Sequence, residues 1–306
     1  MKDKARRNLG ASVQARILNL SLARREENQL LLERFAIERF LYRLGRSDHR
    51  NAFVLKGAML FRLWTSEIHR PTRDADFLAF GELSPSRLAE IFREICRGEV
   101  EEDGVAFPAE SVVAERIQAG KAYVGVRLKL RALIGTARLQ LQADVGFGDV
   151  VHPEPRKEIY PALLDFPSPH LRVYPREAVV AEKLEALIRF GSANTRLKDF
   201  FDLWYLSRRF AFDGLTVATA IRKTFVRRRT PLPVGLPDGL SEEFLLARES
   251  AWNALFRRGL LREEQRTLSE VGEHLRRFLL PPLEAVGRQG SFEEIWLPGG
   301  PWKARQ

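Results

Sequence analysis

Two stretches of strict alternation constrain this chain more than any other feature. Tyr123–Leu133 sets Val124, Val126, Leu128 and Leu130 against Arg127, Lys129 and Arg131. Residues 139–145 set Leu139, Leu141, Ala143 and Val145 against Gln140, Gln142 and Asp144. A period of two marks a strand with one buried and one wet face. The intervening Ile134-Gly135-Thr136-Ala137 is short enough to close a hairpin. Arg73-Asp74-Ala75-Asp76-Phe77 alternates in the same way and points both carboxylates to one face. If the Asp76 and Asp144 strands are neighbours, three carboxylates converge on one side of a sheet. Such a cluster is costly unless cations neutralise it, and carboxylate oxygens suit Mg²⁺.

Helical patterns flank these strands. Residues 11–46 read as two helices, one patterned by Val13, Ile17 and Leu20, the next by Leu30, Ile37, Leu41 and Leu44. Phe53-Val54-Leu55 is a short buried strand ending at Lys56-Gly57, and Ala58–Trp64 fits a helix. Ser84-Pro85 starts another, with Ser as N-cap and Pro at the first helical position. Residues 150–171 hold several prolines and read as a connecting segment. From Pro175 the pattern is almost wholly helical to about Pro281, broken by the loop Pro231–Gly239. The expected architecture is α/β, in the α+β sense: a helical N-terminal segment (1–50), a mixed-sheet core (51–172) and a helical C-terminal domain (173–306).

The 306 residues, 45% hydrophobic, support a real core. A formal net charge of +10 favours a polyanionic partner such as RNA, DNA or nucleotide; an Arg-rich solvated surface is the plain alternative. Arg227-Arg228-Arg229, Arg257-Arg258 and Arg276-Arg277 are candidates for a basic face. Cys96 is the single cysteine, which excludes an intrachain disulfide or a multi-cysteine zinc site. His49, His69, His152, His170 and His274 show no ligand spacing. No apolar run approaches the roughly 20 residues of a membrane span. The basic start lacks an apolar export region, so a cytoplasmic protein with no membrane partner is expected.

Strand, Lys56-Gly57-Ala58, then helix is an arrangement in which backbone N–H groups can face an anion, with Gly57 permitting close approach. A turn glycine is the ordinary reading of the same residues. Two further motifs lie downstream, Ala181-Glu182-Lys183-Leu184-Glu185-Ala186-Leu187 and Asn194-Thr195-Arg196-Leu197-Lys198-Asp199-Phe200-Phe201-Asp202-Leu203-Trp204. Lys183 lies off the apolar stripe of its helix, where pairing with a nearby Glu is the simplest reading. Asp199, Asp202 and Lys198 share a helix face by their spacing.

Taken in order, Phe53–Leu60, Arg73–Asp76 and the two helical motifs resemble the AbiEii/AbiGii toxin family, within the polymerase-β-like nucleotidyltransferase superfamily. The resemblance covers about residues 50–206. It implies a metal-dependent transfer of a nucleoside monophosphate from NTP to an acceptor hydroxyl, by the toxin of a type IV toxin–antitoxin or phage-defence pair. Some relatives act on tRNA 3′ ends, and a cognate antitoxin is the implied partner. Asp74, Asp76 and Asp144 are the implied ligands of two Mg²⁺ ions, with Mn²⁺ as the alternative, and Asp144 also takes the acceptor proton. Lys183 reaches the triphosphate, Asp199 and Asp202 order the site, and Lys56, Gly57, Ala58, Arg73, Arg196 and Lys198 surround the nucleotide. The C-terminal domain thus completes the active site. Where the superfamily usually has Gly-Ser or Gly-Gly, this chain has Gly57-Ala58, leaving backbone amides to carry the phosphate. Modification of a protein hydroxyl, and nucleotide or RNA binding without catalysis, are the alternative readings.

Overall fold

The two alternating runs pair as an antiparallel hairpin, and the sheet they anchor organises the first of two units. The computed structural model describes residues 2–65, 70–81, 83–118, 124–261 and 263–305; His69 and Tyr123 fall outside them. The first unit comprises Met1–Glu67, Pro71–Gly148 and Arg156–Val173, the second Ile68–Arg70, Asp149–Pro155 and Tyr174–Gln306.

In the first unit, helices α1 (Lys2–Arg24) and α2 (Asn28–Arg46) precede strand β1 (Phe53–Lys56). A 3₁₀ turn (Gly57–Leu60) and the one-turn helix α3 (Phe61–Trp64) follow, where a longer helix was expected. Next come β2 (Asp74–Ala79) and α4 (Pro85–Arg97). β3 (Val105–Ala106), β4 (Val113–Gln118), β5 (Val124–Ile134) and β6 (Ala137–Phe147) continue the sheet. Its order is β3-β5-β6-β2-β1-β8-β7, with β4 also on β5, where β7 is Arg156–Ile159 and β8 is His170–Val173. β2 runs parallel to β6, and β1 to β8; the other pairs are antiparallel. The sheet is therefore mixed.

Local chemistry explains these elements. Ser84 Oγ accepts the Arg87 N–H at 3.2 Å, Pro85 opens α4, and Leu88, Ile91, Phe92 and Ile95 bury its inner face. Val126, Leu128, Leu139, Leu141 and Val145 are buried on one side of the hairpin. α2 and α4 pack against that hairpin, with Phe40, Phe92 and Phe53 in ring contact at 5.1 and 6.0 Å. Burial of each such side chain contributes about 1.5–3 kcal/mol. The proline-rich segment after 150 corrects its expectation, since it supplies β7 and β8. Buried Leu171 and Val173 alternate with the less buried His170 and Arg172, a pattern only four residues long.

The second unit is mainly helical: α5 (Arg176–Phe190), α6 (Leu197–Arg209), α7 (Gly214–Arg228), α8 (Glu242–Arg257) and α9 (Leu268–Gly287). Short strands β9 (Phe212–Asp213), β10 (Ile295–Trp296) and β11 (Trp302–Lys303) form a second sheet. α9 runs through Pro281 and Pro282, where the helical pattern was expected to end. Pro282 has no N–H to offer the Phe278 carbonyl, and the Trp302 indole N–H donates to that oxygen instead, at 2.9 Å. No helix among the described residues is long and apolar enough to cross a membrane.

Candidate active site

Strand register sets five charged residues side by side. Lys56 stands opposite Asp76, Asp76 opposite Asp144, Asp144 opposite Arg127, and Arg127 opposite Glu115. Residues paired directly across a sheet project from the same face. Asp74 lies on that face one pleat away, in a row with Gln142 and Lys129. The opposite face carries Ala75, Phe77, Ala143 and Val145, all buried. The aspartates thus occupy the wet face that their alternation assigned to them.

Gly57 holds φ at +74°, and an added Cβ there would lie 2.7 Å from Asp76 Cγ and 2.9 Å from Asp76 Cβ. Its bare Cα makes room for the Asp76 carboxylate. Ala58 is buried, and the helix behind the loop is a single turn, so no long-helix dipole backs this position. Arg73 turns to α2 and the residue before it, pairing with Glu33 at 3.3 Å and Glu27 at 3.5 Å.

Asp144 is gripped by a fork. Arg127 Nε and Nη2 donate to its two oxygens at 2.9 and 2.8 Å. This hydrogen bonding, with the charges of Asp144, Asp74 and Glu115, holds the Arg127 pKa above its ordinary value despite partial burial. Among the described residues, no group of three or more His, Cys, Asp or Glu is gathered closely enough to hold a metal ion. Asp74, Asp76 and Asp144 fit a hard divalent cation in donor chemistry and in sharing one face. In this arrangement both Asp144 oxygens are committed to Arg127.

The helical motifs converge inside the second unit. Asn194 Oδ1 accepts the Arg196 N–H at 2.8 Å, a turn that leads into α6. Lys183 of α5 sits between two carboxylates of α6, its Nζ 2.5 Å from Asp199 Oδ1 and 2.8 Å from Asp202 Oδ2. Arg196 Nε donates to Asp199 Oδ2 at 2.6 Å, and Arg70 Nε and Nη2 donate to Asp202 at 2.7 and 2.8 Å. Lys183 therefore pairs with aspartates of the next helix and not with a neighbouring Glu. Burial opposes its charge, but Asp199 and Asp202 outweigh burial and hold its pKa above the ordinary value. Burial likewise opposes the Asp199 charge, and Lys183 with Arg196 keeps that carboxyl below the usual range.

A cavity of about 600 Å³ opens beside this cluster, lined by Arg70, Arg196, Lys198, Asp199 and Arg258, with Ala251, Ala254 and Leu255 as its apolar wall. Lys198 and Arg258 have no ion-pair partner among the described residues. Arg228 leaves the proposed basic face: it is held at 3.0 Å by Asp149, 3.3 Å by Glu182 and 2.7 Å by Glu185. Arg70 and Arg127 were missed as site residues in the sequence. Arg70 carries no local signal, whereas counting seven residues back on both sides of Ile134 and Ala137 pairs Arg127 with Asp144.

Asp74 and Asp76 thus lie on a strand that runs parallel to the one carrying Asp144, within a mixed sheet. The profile of the nucleotidyl transferase AbiEii toxin of type IV toxin–antitoxin systems matches residues 39–278, and the chain belongs to that family. It is a nucleotidyltransferase. Similar solved structures include JHP933 from Helicobacter pylori, 14% identical, with a TM-score of 0.48 over 86% of this chain and 95% of that one. A second, a candidate nucleotidyltransferase from H. pylori, is 14% identical, with a TM-score of 0.48 over 87% of this chain and 100% of that one. No curated protein matches the chain.

Proposed function

We propose that this enzyme moves a nucleoside monophosphate from NTP to a hydroxyl at a tRNA 3′ end, as the toxin opposed by a cognate antitoxin. The observation that carries this reading is the register of Asp76 opposite Asp144, with Asp74 on the same face. Asp74 and Asp76 would hold a divalent cation, Mg²⁺ or Mn²⁺, with Asp144 as a further oxygen donor. Such an ion, when bound, would neutralise phosphate charge and acidify the attacking hydroxyl. The hydroxyl oxygen bonds to the α-phosphorus, the bond to the bridging β-phosphate oxygen breaks, and pyrophosphate leaves. Asp144, released from Arg127, takes the hydroxyl proton.

The second unit has an anion-binding role in this reading. Lys183 orders Asp199 and Asp202, while Lys198 and Arg258, which have no ion-pair partner among the described residues, line a cavity of that unit able to take phosphate oxygens. A net charge of +10 suits an RNA acceptor, whose backbone attraction is salt-dependent. The test is incubation with each α-phosphate-labelled NTP, Mg²⁺ and total tRNA, beside an Asp74→Ala/Asp76→Ala control. Label entering RNA with the intact enzyme alone is expected. Label in a protein band would move the acceptor to a protein hydroxyl. Label in neither, with NTP binding intact, overturns the transfer reading.

A further inference from the structure

Two carboxylates in register on adjacent strands, Asp76 and Asp144, repel each other. The sheet flanks them with one cation on either side, Lys56 opposite Asp76 and Arg127 opposite Asp144. Lys56 is a point charge, but the Arg127 fork engages both Asp144 oxygens at once. An ion that needs an Asp144 oxygen therefore competes with this guanidinium.

We propose that Arg127 is a positioning residue: a built-in counter-ion that holds Asp144 in the cation-free enzyme and exchanges it for the divalent cation. The proposal rests on the metal assignment made above for Asp74, Asp76 and Asp144. The geometry allows the exchange. The Arg127 side chain is 33% exposed and that of Asp144 22%, so the fork can open without crossing a packed core. Glu115 stands opposite Arg127 on its other side and already contributes to its raised pKa. That carboxylate, now paired with Lys129 at 2.8 Å, is a landing place for the released guanidinium.

The test is a Mn²⁺ titration of the whole protein without nucleotide, followed by the electron paramagnetic resonance of free Mn²⁺. It compares the unmodified enzyme with Arg127→Gln, Asp144→Asn and the double variant. Arg127→Gln is expected to tighten Mn²⁺ binding roughly two- to fivefold, the range of one partly exposed ion pair removed from competition. The gain should vanish when Asp144 is also Asn. Binding by Arg127→Gln alone, with none in the unmodified enzyme, supports the proposal in its strongest form. Unchanged or weaker binding by Arg127→Gln overturns the role of Arg127 and leaves the metal assignment standing. Absence of Mn²⁺ binding in both overturns the two together. Arg127→Lys keeps the charge and loses the fork, so it covers the case in which the Gln variant does not fold. A smaller tightening is expected from it, and affinity equal to the unmodified enzyme counts against the proposal.

Discussion

The Asp76 carboxylate lies where a side chain on residue 57 would begin, and Gly57 leaves that space open. The same glycine holds a positive φ that other residues adopt at a cost of about 1–2 kcal/mol. Gly57→Ala therefore combines modest backbone strain with displacement of a carboxylate assigned to the reaction. The expected outcome is a melting loss in keeping with about 1–2 kcal/mol and a fall in nucleotidyl transfer of roughly 100-fold, the scale of ångström misplacement. A folded Gly57→Ala variant with near-normal transfer would remove Asp76 from the chemistry.

Lys183 and Lys198 lie on neighbouring helices and are expected to fail differently. The Lys183 side chain is 13% exposed and shared by two aspartates, one of them Asp202 at 0%. Lys183→Ala leaves those buried charges short of a partner and should cost about 3–5 kcal/mol of stability. Lys198 faces the cavity, and Lys198→Ala should change stability by no more than about 0.5 kcal/mol while weakening NTP binding. Urea unfolding and equilibrium binding of a fluorescent NTP separate the two. Equal stability losses would mean that Lys198 is structural as well.

The strands and their wet face were legible because period two survives in short runs, and the three aspartates obey it. What holds those aspartates was less legible. Arg127 was visible on the same face, and only the register imposed by the tight turn at Gly135 ties it to Asp144. Arg70 reaches Asp202 from 132 residues away, a contact that no local pattern encodes. The phosphate-loop helix was overestimated because Ala58–Trp64 is apolar enough for either a helix or a buried 3₁₀ turn. In α9 a tryptophan twenty residues beyond Pro282 supplies the donor that this proline lacks, again a contact that no local pattern encodes.

Trp302 makes that replacement testable. Its indole N–H satisfies the Phe278 carbonyl, and its ring stacks on Phe278 at 5.8 Å. Trp302→Phe keeps most of the ring contact and removes the donor. The expected loss is about 1–3 kcal/mol, the cost of an unsatisfied carbonyl. The same substitution in a Pro282→Ala background should cost less, because the restored N–H can reach Phe278. Equal losses in both backgrounds, measured by thermal melting, would show that the indole contributes through packing alone.

Glu38 predicts how stability responds to pH. It is buried in α2, where one carboxylate oxygen accepts the Leu163 N–H at 2.7 Å and the other lies 3.3 Å from Arg39 Nη1. Burial pushes its pKa up to about 7, against the opposing pull of the Leu163 hydrogen bond and the Arg39 charge. The folded state therefore keeps a proton that the unfolded chain releases at its ordinary, lower pKa. Folding binds the extra proton between those values, so stability falls as pH rises from about 4.5 to about 7 and then levels off. The size of the fall is roughly 3 kcal/mol. Glu38→Gln keeps an acceptor for Leu163 and cannot ionise. Urea midpoints taken at half-unit steps from pH 5 to 8 should thus decline for the unmodified protein relative to Glu38→Gln, and the curves should run parallel above pH 7.5. Parallel curves across the whole range would mean that Glu38 ionises in the fold as readily as in the unfolded chain, with Arg39 compensating its burial in full.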